Sequence, residues 1–260
     1  MNIIIIGDIV GRPGRRVVKE LLPNLVREFQ IDLVIANGEN AAGGNGITPD
    51  MAEELYDSGV DILTMGNHVW DKKEIIPYFE VEKRIIRPAN YPPGTPGKGY
   101  LIFSVTRNVK VGVLNLSGRV FLGNLDCPFR SADVLIEEIS QQTPVIIVDF
   151  HAEATSEKQA MGWYLDGRTT AVLGTHTHIQ TADERLLPNG TAYITDIGMS
   201  GPRDSVLGVK TEIILKKFIT QMPARFEIAD GVAQLNAVVL GVNPANGKAH
   251  SIRRVQRYLE

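Results

Sequence analysis

The sequence predicts an α/β fold in which one domain, residues 1–260, contains two β-sheets. Three observations support this prediction. Short apolar runs alternate with amphipathic helical stretches up to Met65, a pattern typical of parallel strands joined by helices. From Tyr100 onward the pattern changes to strand pairs, which indicates a second sheet. No internal repeat, long linker or low-complexity segment divides the chain.

The first third of the chain is predicted to contain three parallel strands. Ile3–Ile6 is an apolar β-branched run of the kind that is buried on both faces of a sheet, and Leu33–Ala36 and Ile62–Met65 resemble it. The helix after the first strand is predicted from apolar residues at helical spacing, which are Val17, Val18, Leu21, Leu22, Leu25, Val26 and Phe29. Thr48-Pro49 predicts the N-cap and first residue of a second helix, which ends at Ser58-Gly59.

The rest of the chain is predicted to be richer in strands. A strand pair joined at Arg107-Asn108 is expected over Tyr100–Val105 and Lys110–Leu116. Further elements are expected as strands over Val145–Asp149, Thr170–Leu173 and Ala237–Val242, and as a helical stretch over Glu157–Tyr164. Cys127-Pro128-Phe129 is expected to belong to a loop.

The composition excludes several classes of protein. With 260 residues, 43% of them hydrophobic, the chain can bury a full core. A formal net charge of −3 gives no reason to expect stable binding along a nucleic-acid duplex, which requires a basic face. Cys127 is the only cysteine, so an intrachain disulfide and a cysteine-based metal site are both excluded. No leader or membrane-spanning segment is recognised, and the expected location is the cytoplasm.

Polar residues that can bind metal ions follow five of the predicted strands. Ligand-binding crevices form at the carboxyl ends of strands in open α/β sheets, so these residues are expected at one rim. They are Asp8, Glu39, Asn40, Asn67, His68, His151, His176 and His178. Only one further histidine occurs in the chain, His250, and it is interpreted as structural.

Each of these residues also has an ordinary explanation when it is taken alone. Asp8 is in a position typical of turn residues, Asn67 is placed to cap a helix that begins near Asp71, and a single histidine such as His151 is more often a core or surface residue. His176-Thr177-His178 is more specific, because residues two apart in an extended segment project to the same side. Together, the carboxylates, amides and imidazoles exceed what one four-coordinate ion needs, which predicts two metal ions.

Five motifs carry a resemblance to a known family. They are Gly7-Asp8-Ile9-Val10-Gly11, Asn37-Gly38-Glu39-Asn40, Gly66-Asn67-His68-Val69-Trp70-Asp71, Asp149-Phe150-His151-Ala152-Glu153 and Gly174-Thr175-His176-Thr177-His178. The ordered set resembles the YmdB-like branch of the calcineurin-like metallophosphoesterases, which are bacterial phosphodiesterases associated with 2′,3′-cyclic nucleotides. The resemblance runs from about the first residue of the chain to the last.

The resemblance implies a fold, a ligand set and an assembly. The fold would be a four-layer α/β/β/α sandwich of two mixed sheets, with a dimetal site at the strand ends. One ion would be bound by Asp8, Asn40 and His178, the other by Asn67, His151 and His176, and Glu39 would bridge both. His68 would lie outside the metal ligands as the acid. The family also suggests iron or manganese, with zinc or magnesium as alternatives, and a homo-oligomer, either a dimer or a tetramer.

The chain departs from the wider superfamily at two positions. The usual Asp-x-His opening is Asp8-Ile9-Val10 here, so one histidine ligand is missing. The usual bridging aspartate is Glu39, and Asn40 beside it replaces the lost histidine. An oxygen ligand in place of a nitrogen makes a metal site harder, which favours manganese or iron over zinc.

The predicted activity is hydrolysis of a small phosphodiester, with 2′,3′-cyclic nucleotides as the first candidates. Two metal ions would generate a bridging hydroxide that attacks phosphorus, and His68 would protonate the departing ribose oxygen. Asp71 could orient His68 from one helical turn away, but a surface or capping role is the preferred interpretation. The alternatives are a phosphomonoesterase, nucleotidase or RNase with the same site, or a non-catalytic regulatory protein that binds a nucleotide.

Overall fold

A computed structural model describes the whole chain, Met1 to Glu260, as six helices and fourteen strands. The helices are α1 (Gly11–Phe29), α2 (Pro49–Asp57), α3 (Ile75–Val81), α4 (Pro128–Ser140), α5 (Thr155–Tyr164) and α6 (Thr211–Thr220). The strands of the first half are β1 (Asn2–Ile6), β2 (Asp8–Ile9), β3 (Leu33–Asn37), β4 (Ile62–Thr64), β5 (Ile85–Ile86), β6 (Tyr100–Thr106) and β7 (Val109–Ser117). Those of the second half are β8 (Ile146–His151), β9 (Ala171–Thr175), β10 (Arg185–Leu186), β11 (Ala192–Ile194), β12 (Met199–Pro202), β13 (Ala233–Val242) and β14 (Ala249–Leu259).

The larger sheet has eight strands and mixed direction. Its order is β2-β12-β13-β1-β3-β4-β5, and β14 pairs with β13. β1, β3, β4 and β5 are parallel, as the alternation of strands and helices predicts. β13 runs antiparallel to β1 and pairs in turn with β14, so the end of the chain extends the sheet that its beginning starts.

The smaller sheet has six strands in the order β10-β11-β9-β8-β7-β6. Its four central strands are parallel, whereas β10 and β6 at the two edges run antiparallel to their neighbours. The strand pair predicted around Arg107-Asn108 is the β6–β7 pair. The two mixed sheets therefore confirm the predicted α/β fold.

Three apolar layers hold the two sheets and the helices together. Ile3 and Ile5 of β1 belong to the core between the sheets, whereas Ile4 and Ile6 pack in a separate core with Val18 of α1. This alternation follows from the geometry of a strand, whose successive side chains point to opposite faces. A third core joins the smaller sheet to α4 and α5. The order of layers is thus α/β/β/α, as the family resemblance implies.

Two local expectations are wrong. Pro128 is the first residue of α4 and Cys127 its N-cap, so the segment expected to be a loop begins a helix. Asn67 does not cap a helix near Asp71, because that segment is a turn and α3 begins only at Ile75. The N-cap at Thr48 is confirmed, since its hydroxyl accepts a hydrogen bond of 3.4 Å from the backbone N–H of Met51.

None of the helices has both the length and the apolar composition that crossing a bilayer requires.

Candidate metal centre

The carboxyl ends of parallel strands from both sheets meet at one rim. On the smaller sheet, Ser117, His151 and Thr175 lie side by side at the ends of β7, β8 and β9. On the larger sheet, the turns after β3 and β4 carry Glu39 and Asn67. Side chains of the two sheets contact each other here, so the structure brings together residues from strand ends far apart in the chain.

Three atoms with lone pairs surround one ring nitrogen of His151. Its Nε2 lies 3.0 Å from Glu39 Oε1, 3.0 Å from Asn67 Oδ1 and 3.0 Å from His176 Nδ1. Ligand atoms of Glu39, His151 and His176 all lie within 4.8 Å of one another. A ring nitrogen carries at most one hydrogen, which cannot serve three acceptors at once. The cluster is therefore suited to a cation.

A chain of hydrogen bonds sets which nitrogen of His151 faces this cluster. The hydroxyl of Thr175 donates to Asp149 Oδ1 over 2.7 Å, so its oxygen accepts from His151 Nδ1 over 2.9 Å. With Nδ1 carrying this hydrogen, the neutral ring has its lone pair on Nε2. This is the usual arrangement of a metal-binding histidine, whose other nitrogen donates to a fixed acceptor.

The other two candidate histidine ligands are oriented in the same way. His176 Nε2 lies 3.0 Å from the carboxylate of Glu153, which leaves Nδ1 toward His151. His178 Nδ1 lies 3.2 Å from the backbone carbonyl of Leu207, an acceptor only, so this nitrogen carries the hydrogen and Nε2 has the lone pair. Each of these imidazoles is thus held by one nitrogen and free at the other.

Three buried side-chain oxygens at the rim have no hydrogen-bond donor. They are Asp8 Oδ1, Glu39 Oε1 and Asn40 Oδ1. Glu39 Oε1 is close to His151, but no donor is aligned with it. Asn40 is held by its other end, since Nδ2 donates to the carbonyl of Gly44 over 2.8 Å. Unpaired buried oxygens are rare in folded proteins, and a bound ion is one of their ordinary explanations. The donor set, oxygens and imidazoles without thiolate, fits divalent iron, manganese or zinc.

The electrostatics of the metal-free site centre on the contact between Glu39 and His151. Burial by itself lowers the pKa of His151, but the carboxylates of Glu39, Asp8 and Asp149 together, Glu39 foremost, raise it to about 9. Burial raises the pKa of Glu39, but His151 and His68 together, His151 foremost, lower it to about 2. In the metal-free chain the protonated ring of His151 is therefore the counter-ion of Glu39, a role that a bound cation would take over.

Two neighbouring groups have shifted pKa values for simpler reasons. Burial raises the pKa of Asp8 to about 6, although His178 and His151 oppose the shift. Burial also lowers the pKa of His176 to about 3, and the charge on His151 adds to the effect. His176 is thus neutral, the form that can bind a metal ion.

His68 lies beside the cluster on the turn after β4. Its backbone N–H donates to Glu39 Oε2 over 3.0 Å, and its ring Nδ1 lies 2.9 Å from Asp71 Oδ2. Asp71 also accepts from the side chain of Asn45 over 2.8 Å. The interpretation of Asp71 as a surface or capping residue is therefore incomplete, because its carboxylate orients the ring of His68. His68 and Asp71 are each 35% exposed at the side chain, so a ligand in solvent can reach them.

The segments that carry the site have unusual backbone conformations. His176 and His178 both have positive φ angles, of 98° and 66°. Such angles are uncommon for residues with a Cβ, and they cluster at functional sites. Gly43, Gly44 and Gly46 also have positive φ, as expected for the glycine-rich loop beside the site.

Several residues that organise the site are not recognised from the sequence. Asp149 accepts hydrogen bonds from Asn37 over 3.2 Å and Thr64 over 2.5 Å, and so joins the two sheets beneath the rim. Burial raises the pKa of Asp149. Glu153 and Asp149 both lie inside a motif of the resemblance, but only the folded contacts show what each carboxylate holds.

Comparison with known proteins gives a consistent result. A family model described as YmdB-like protein matches residues 4–255. A protein of Bacillus subtilis strain 168 named 2′,3′-cyclic-nucleotide 2′-phosphodiesterase is 52% identical over 255 residues, which cover 98% of this chain and 96% of that protein.

Two solved structures have the same fold over nearly the full chain. A hypothetical protein from Thermus thermophilus superposes with a TM-score of 0.93 and 43% identity, covering 99% of each chain. A structure from Mycoplasma pneumoniae described as a novel phosphatase has a TM-score of 0.94 and 35% identity, covering 99% of this chain and 93% of that one.

Proposed function

The chain belongs to the YmdB-like family, and we propose on that premise that it is a metal-dependent phosphodiesterase that hydrolyses 2′,3′-cyclic nucleotides. The observation that carries the proposal is the convergence of Glu39, His151 and His176 on one position, with ligand atoms within 4.8 Å of one another. The Bacillus subtilis relative, 52% identical, supplies the substrate class.

Two ions per chain would use all the available ligands. Glu39, Asn67, His151 and His176 would hold one ion, which accords with the three contacts of 3.0 Å at His151 Nε2. Asp8, Asn40 and His178 would hold the other together with Glu39, which accords with the unpaired oxygens of Asp8 and Asn40. The oxygen-rich second set favours iron or manganese over zinc.

When bound, such a metal pair supplies Lewis-acid chemistry: it stabilises charge on phosphoryl oxygens and makes water a better nucleophile. Hydrolysis forms a bond from the water oxygen to phosphorus and breaks the bond from phosphorus to the ribose O2′. The departing oxygen then needs a proton.

His68 is the group of this chain placed to give that proton. Asp71 orients the His68 ring through the 2.9 Å contact with Nδ1, which leaves Nε2 free to donate a proton to the leaving oxygen. The bond from the His68 backbone N–H to Glu39 Oε2, 3.0 Å long, ties the acid to the proposed bridging carboxylate. Movement of the metal ligands and movement of the acid are therefore coupled.

We also propose the setting in which the enzyme acts. Its partners would be a small phosphodiester substrate and further copies of the same chain, in the cytoplasm, without a membrane or a nucleic-acid duplex. The exposed apolar side chains of the surface helix α6, among them Phe218 and Ile219, are consistent with the homo-oligomer.

The test is a metal analysis combined with a substrate panel. The chain is purified without chelators, its metals are quantified, and 2′,3′-cyclic AMP is assayed beside bis-p-nitrophenyl phosphate and p-nitrophenyl phosphate. About two metals per chain and diesterase turnover are expected. Glu39→Gln should lose both, whereas Glu28→Gln, at a surface ion pair of α1, should keep both.

Other results would change the assignment. Metal with only p-nitrophenyl phosphate turnover would indicate a phosphomonoesterase instead. Neither metal nor turnover after reconstitution with manganese or iron would contradict the proposal and favour a nucleotide-binding regulatory protein.

A further inference from the structure

A buried carboxylate that the proposed reaction does not use lies beside the His176-Thr177-His178 turn. Asp196, 0% exposed, follows β11. Its Oδ2 accepts hydrogen bonds from both the backbone N–H of Thr177, over 2.9 Å, and the hydroxyl of Thr177, over 2.7 Å. Its Oδ1 accepts from the backbone N–H of Gly198 over 2.7 Å. Asp196 therefore binds both the main chain and the side chain of Thr177, the residue between the two histidines.

A buried lysine neutralises this carboxylate. Lys158 extends from α5, is 1% exposed, and places Nζ 2.6 Å from Asp196 Oδ2. Lysine is almost never fully buried unless it is paired. Gly174 makes room for the approach, because a Cβ there would collide with the backbone oxygen of Thr195 and crowd the Lys158 side chain.

The turn needs such a restraint because its backbone is strained. The φ angles of His176 and His178 are 98° and 66°, in the region that residues with a Cβ rarely adopt. Strained conformations of this kind persist only where surrounding contacts determine them. The two hydrogen bonds from Thr177 to Asp196 are contacts of this kind, at the centre of the turn.

The same carboxylate reaches the segment that carries Asp8. The carbonyl of Gly198, whose N–H is bound by Asp196, accepts from the backbone N–H of Asp8 over 3.1 Å. The next residue, Met199, donates its N–H to the carbonyl of His178 over 3.1 Å. Three of the candidate ligands therefore depend on main-chain segments that Asp196 joins.

We propose that Asp196 is a positioning residue that fixes His176 and His178 for metal binding, with Lys158 as its buried counter-ion. The inference rests on the proposed function, because it takes both histidines as metal ligands. It assigns different roles to the two members of one ion pair. Asp196 sets the geometry of the site, whereas Lys158 chiefly keeps the buried charge balanced.

The test compares variants of the full-length chain after chelation. Mn²⁺ is titrated by calorimetry, and exchange of the Thr177 amide hydrogen is followed in the metal-free chain. Asp196→Asn should weaken Mn²⁺ binding about 10- to 100-fold, the range usual for residues that orient metal ligands. It should also speed exchange at Thr177. Lys158→Met removes the buried counter-ion, so it should lower the melting temperature. Because it keeps the three other hydrogen bonds to Asp196, it should weaken Mn²⁺ binding less than Asp196→Asn does.

The control is a buried carboxylate on α5, the helix that also carries Lys158. Glu157 of α5, 9% exposed, accepts hydrogen bonds from the backbone N–H groups of Arg119 and Val120 and organises a different loop. Glu157→Gln should leave Mn²⁺ affinity and Thr177 exchange unchanged. If Asp196→Asn does not fold, Thr177→Val replaces it, because that change removes the hydroxyl with its bond to Asp196 and its 3.5 Å contact with Lys158 Nζ, and keeps the backbone bond to Asp196.

The outcomes separate this inference from the function on which it rests. Equal Mn²⁺ affinity in the unchanged chain and in Asp196→Asn would overturn the positioning role alone. An equal loss in Glu157→Gln would also overturn it, since the effect would then be one of general stability. Failure of the unchanged chain to bind either Mn²⁺ or Fe²⁺ would overturn the proposed function and this inference together.

Discussion

In the proposed function, His68 as the acid and Asp71 as the group that orients it are what a hydrolytic site adds to a simple metal site. His68→Ala should lower kcat about 10²- to 10⁴-fold, the usual contribution of a positioned acid, with metal content unchanged. Asp71→Asn should have a smaller effect on kcat, because it weakens the 2.9 Å contact that orients the ring but leaves the ring itself in place. The measurement is turnover of 2′,3′-cyclic AMP together with metal analysis. Loss of metal in His68→Ala would show that His68 is a ligand and not the acid.

Metal binding at this site should release a proton from His151. The pKa of about 9 in the metal-free chain means that the ring is protonated near neutral pH, and a metal ligand must be unprotonated. About one proton per ion bound at that position should therefore be released at pH 7, and the number should fall as pH rises through about 9. Below about pH 6, protonated Asp8 should add to the count.

Calorimetry in two buffers of different ionisation enthalpy measures these protons, with His250→Ala as the control that should leave the count unchanged. If no proton is released at pH 7, the assignment of His151 as a ligand is contradicted.

The free energy of unfolding of the metal-free chain should depend on the protonation of His151 as well. A pKa raised in the folded state means that the Glu39–His151 pair stabilises the fold fully below the ordinary histidine pKa of 6.5. This contribution is lost as pH rises through about 9.

Among the structural elements, the turn after β4 leaves no space for a side chain at Gly66. A Cβ on Gly66 would collide with Glu39 Oε2 and with the ring of His151 at Nε2 and Cδ2. Gly66→Ala should therefore abolish metal binding and lower the melting temperature, because neither buried side chain can move aside. Gly123→Ala is the matched control, since a Cβ there meets nothing within 4 Å. Metal analysis and thermal unfolding test both variants, and a Gly66→Ala chain with full metal content would contradict the geometry.

Elements with a strong local pattern can be predicted from the sequence. β1, β3 and β4 lie within one residue of the expected bounds, because uninterrupted apolar runs mark strands buried on both faces. The strand-end rule then leads to the residues of the metal centre. β10, β11 and β12 are only two to four residues long, and β11 and β12 depend on pairing with strands distant in the chain, so no local pattern marks them.

Residues whose role depends on distant contacts cannot be found in this way. Asp196 follows β11, so the strand-end rule does not find it without that strand. Lys158 resembles an ordinary surface lysine of a helix, and its burial depends on Asp196, 38 positions away. α4 does have a local signal, the helical spacing of its buried residues Ala132, Ile136 and Ile139. The prediction of a loop at Cys127-Pro128-Phe129 does not take this spacing into account.

At the scale of the whole molecule, the two sheets are joined by an apolar core that becomes polar only under the rim. Asp149 of the smaller sheet accepts hydrogen bonds from Asn37 and Thr64 of the larger one. The same carboxylate accepts from Thr175, which orients His151. The packing of the sheets and the orientation of a proposed metal ligand thus share one buried residue, so displacement of either sheet would disturb the site.

The outer surface of the molecule has one helix with an unusual exposed face. α6 buries only Ile214, whereas Leu215, Phe218 and Ile219 are 52%, 67% and 81% exposed. Met222, just beyond the helix, is 62% exposed. These positions are spaced three and four residues apart, so they share one side of the helix. An apolar surface of this kind commonly marks a contact between proteins, and a second copy of the chain is the partner that we propose.

The whole-molecule prediction is that this face holds the homo-oligomer together. The double change Phe218→Lys with Ile219→Lys should reduce the molar mass in solution, because two charges at a buried contact lose their hydration without gaining partners. The control adds the same charge at exposed apolar residues of other helices, Val81→Lys with Val134→Lys, where the side chains are 73% and 67% exposed. Light scattering after size exclusion measures the mass. A monomeric unchanged chain, or a double variant with unchanged mass, would contradict the prediction. Since all the proposed metal ligands belong to one chain, the dissociated variant should keep its metal, and so the assembly and the chemistry can be tested separately.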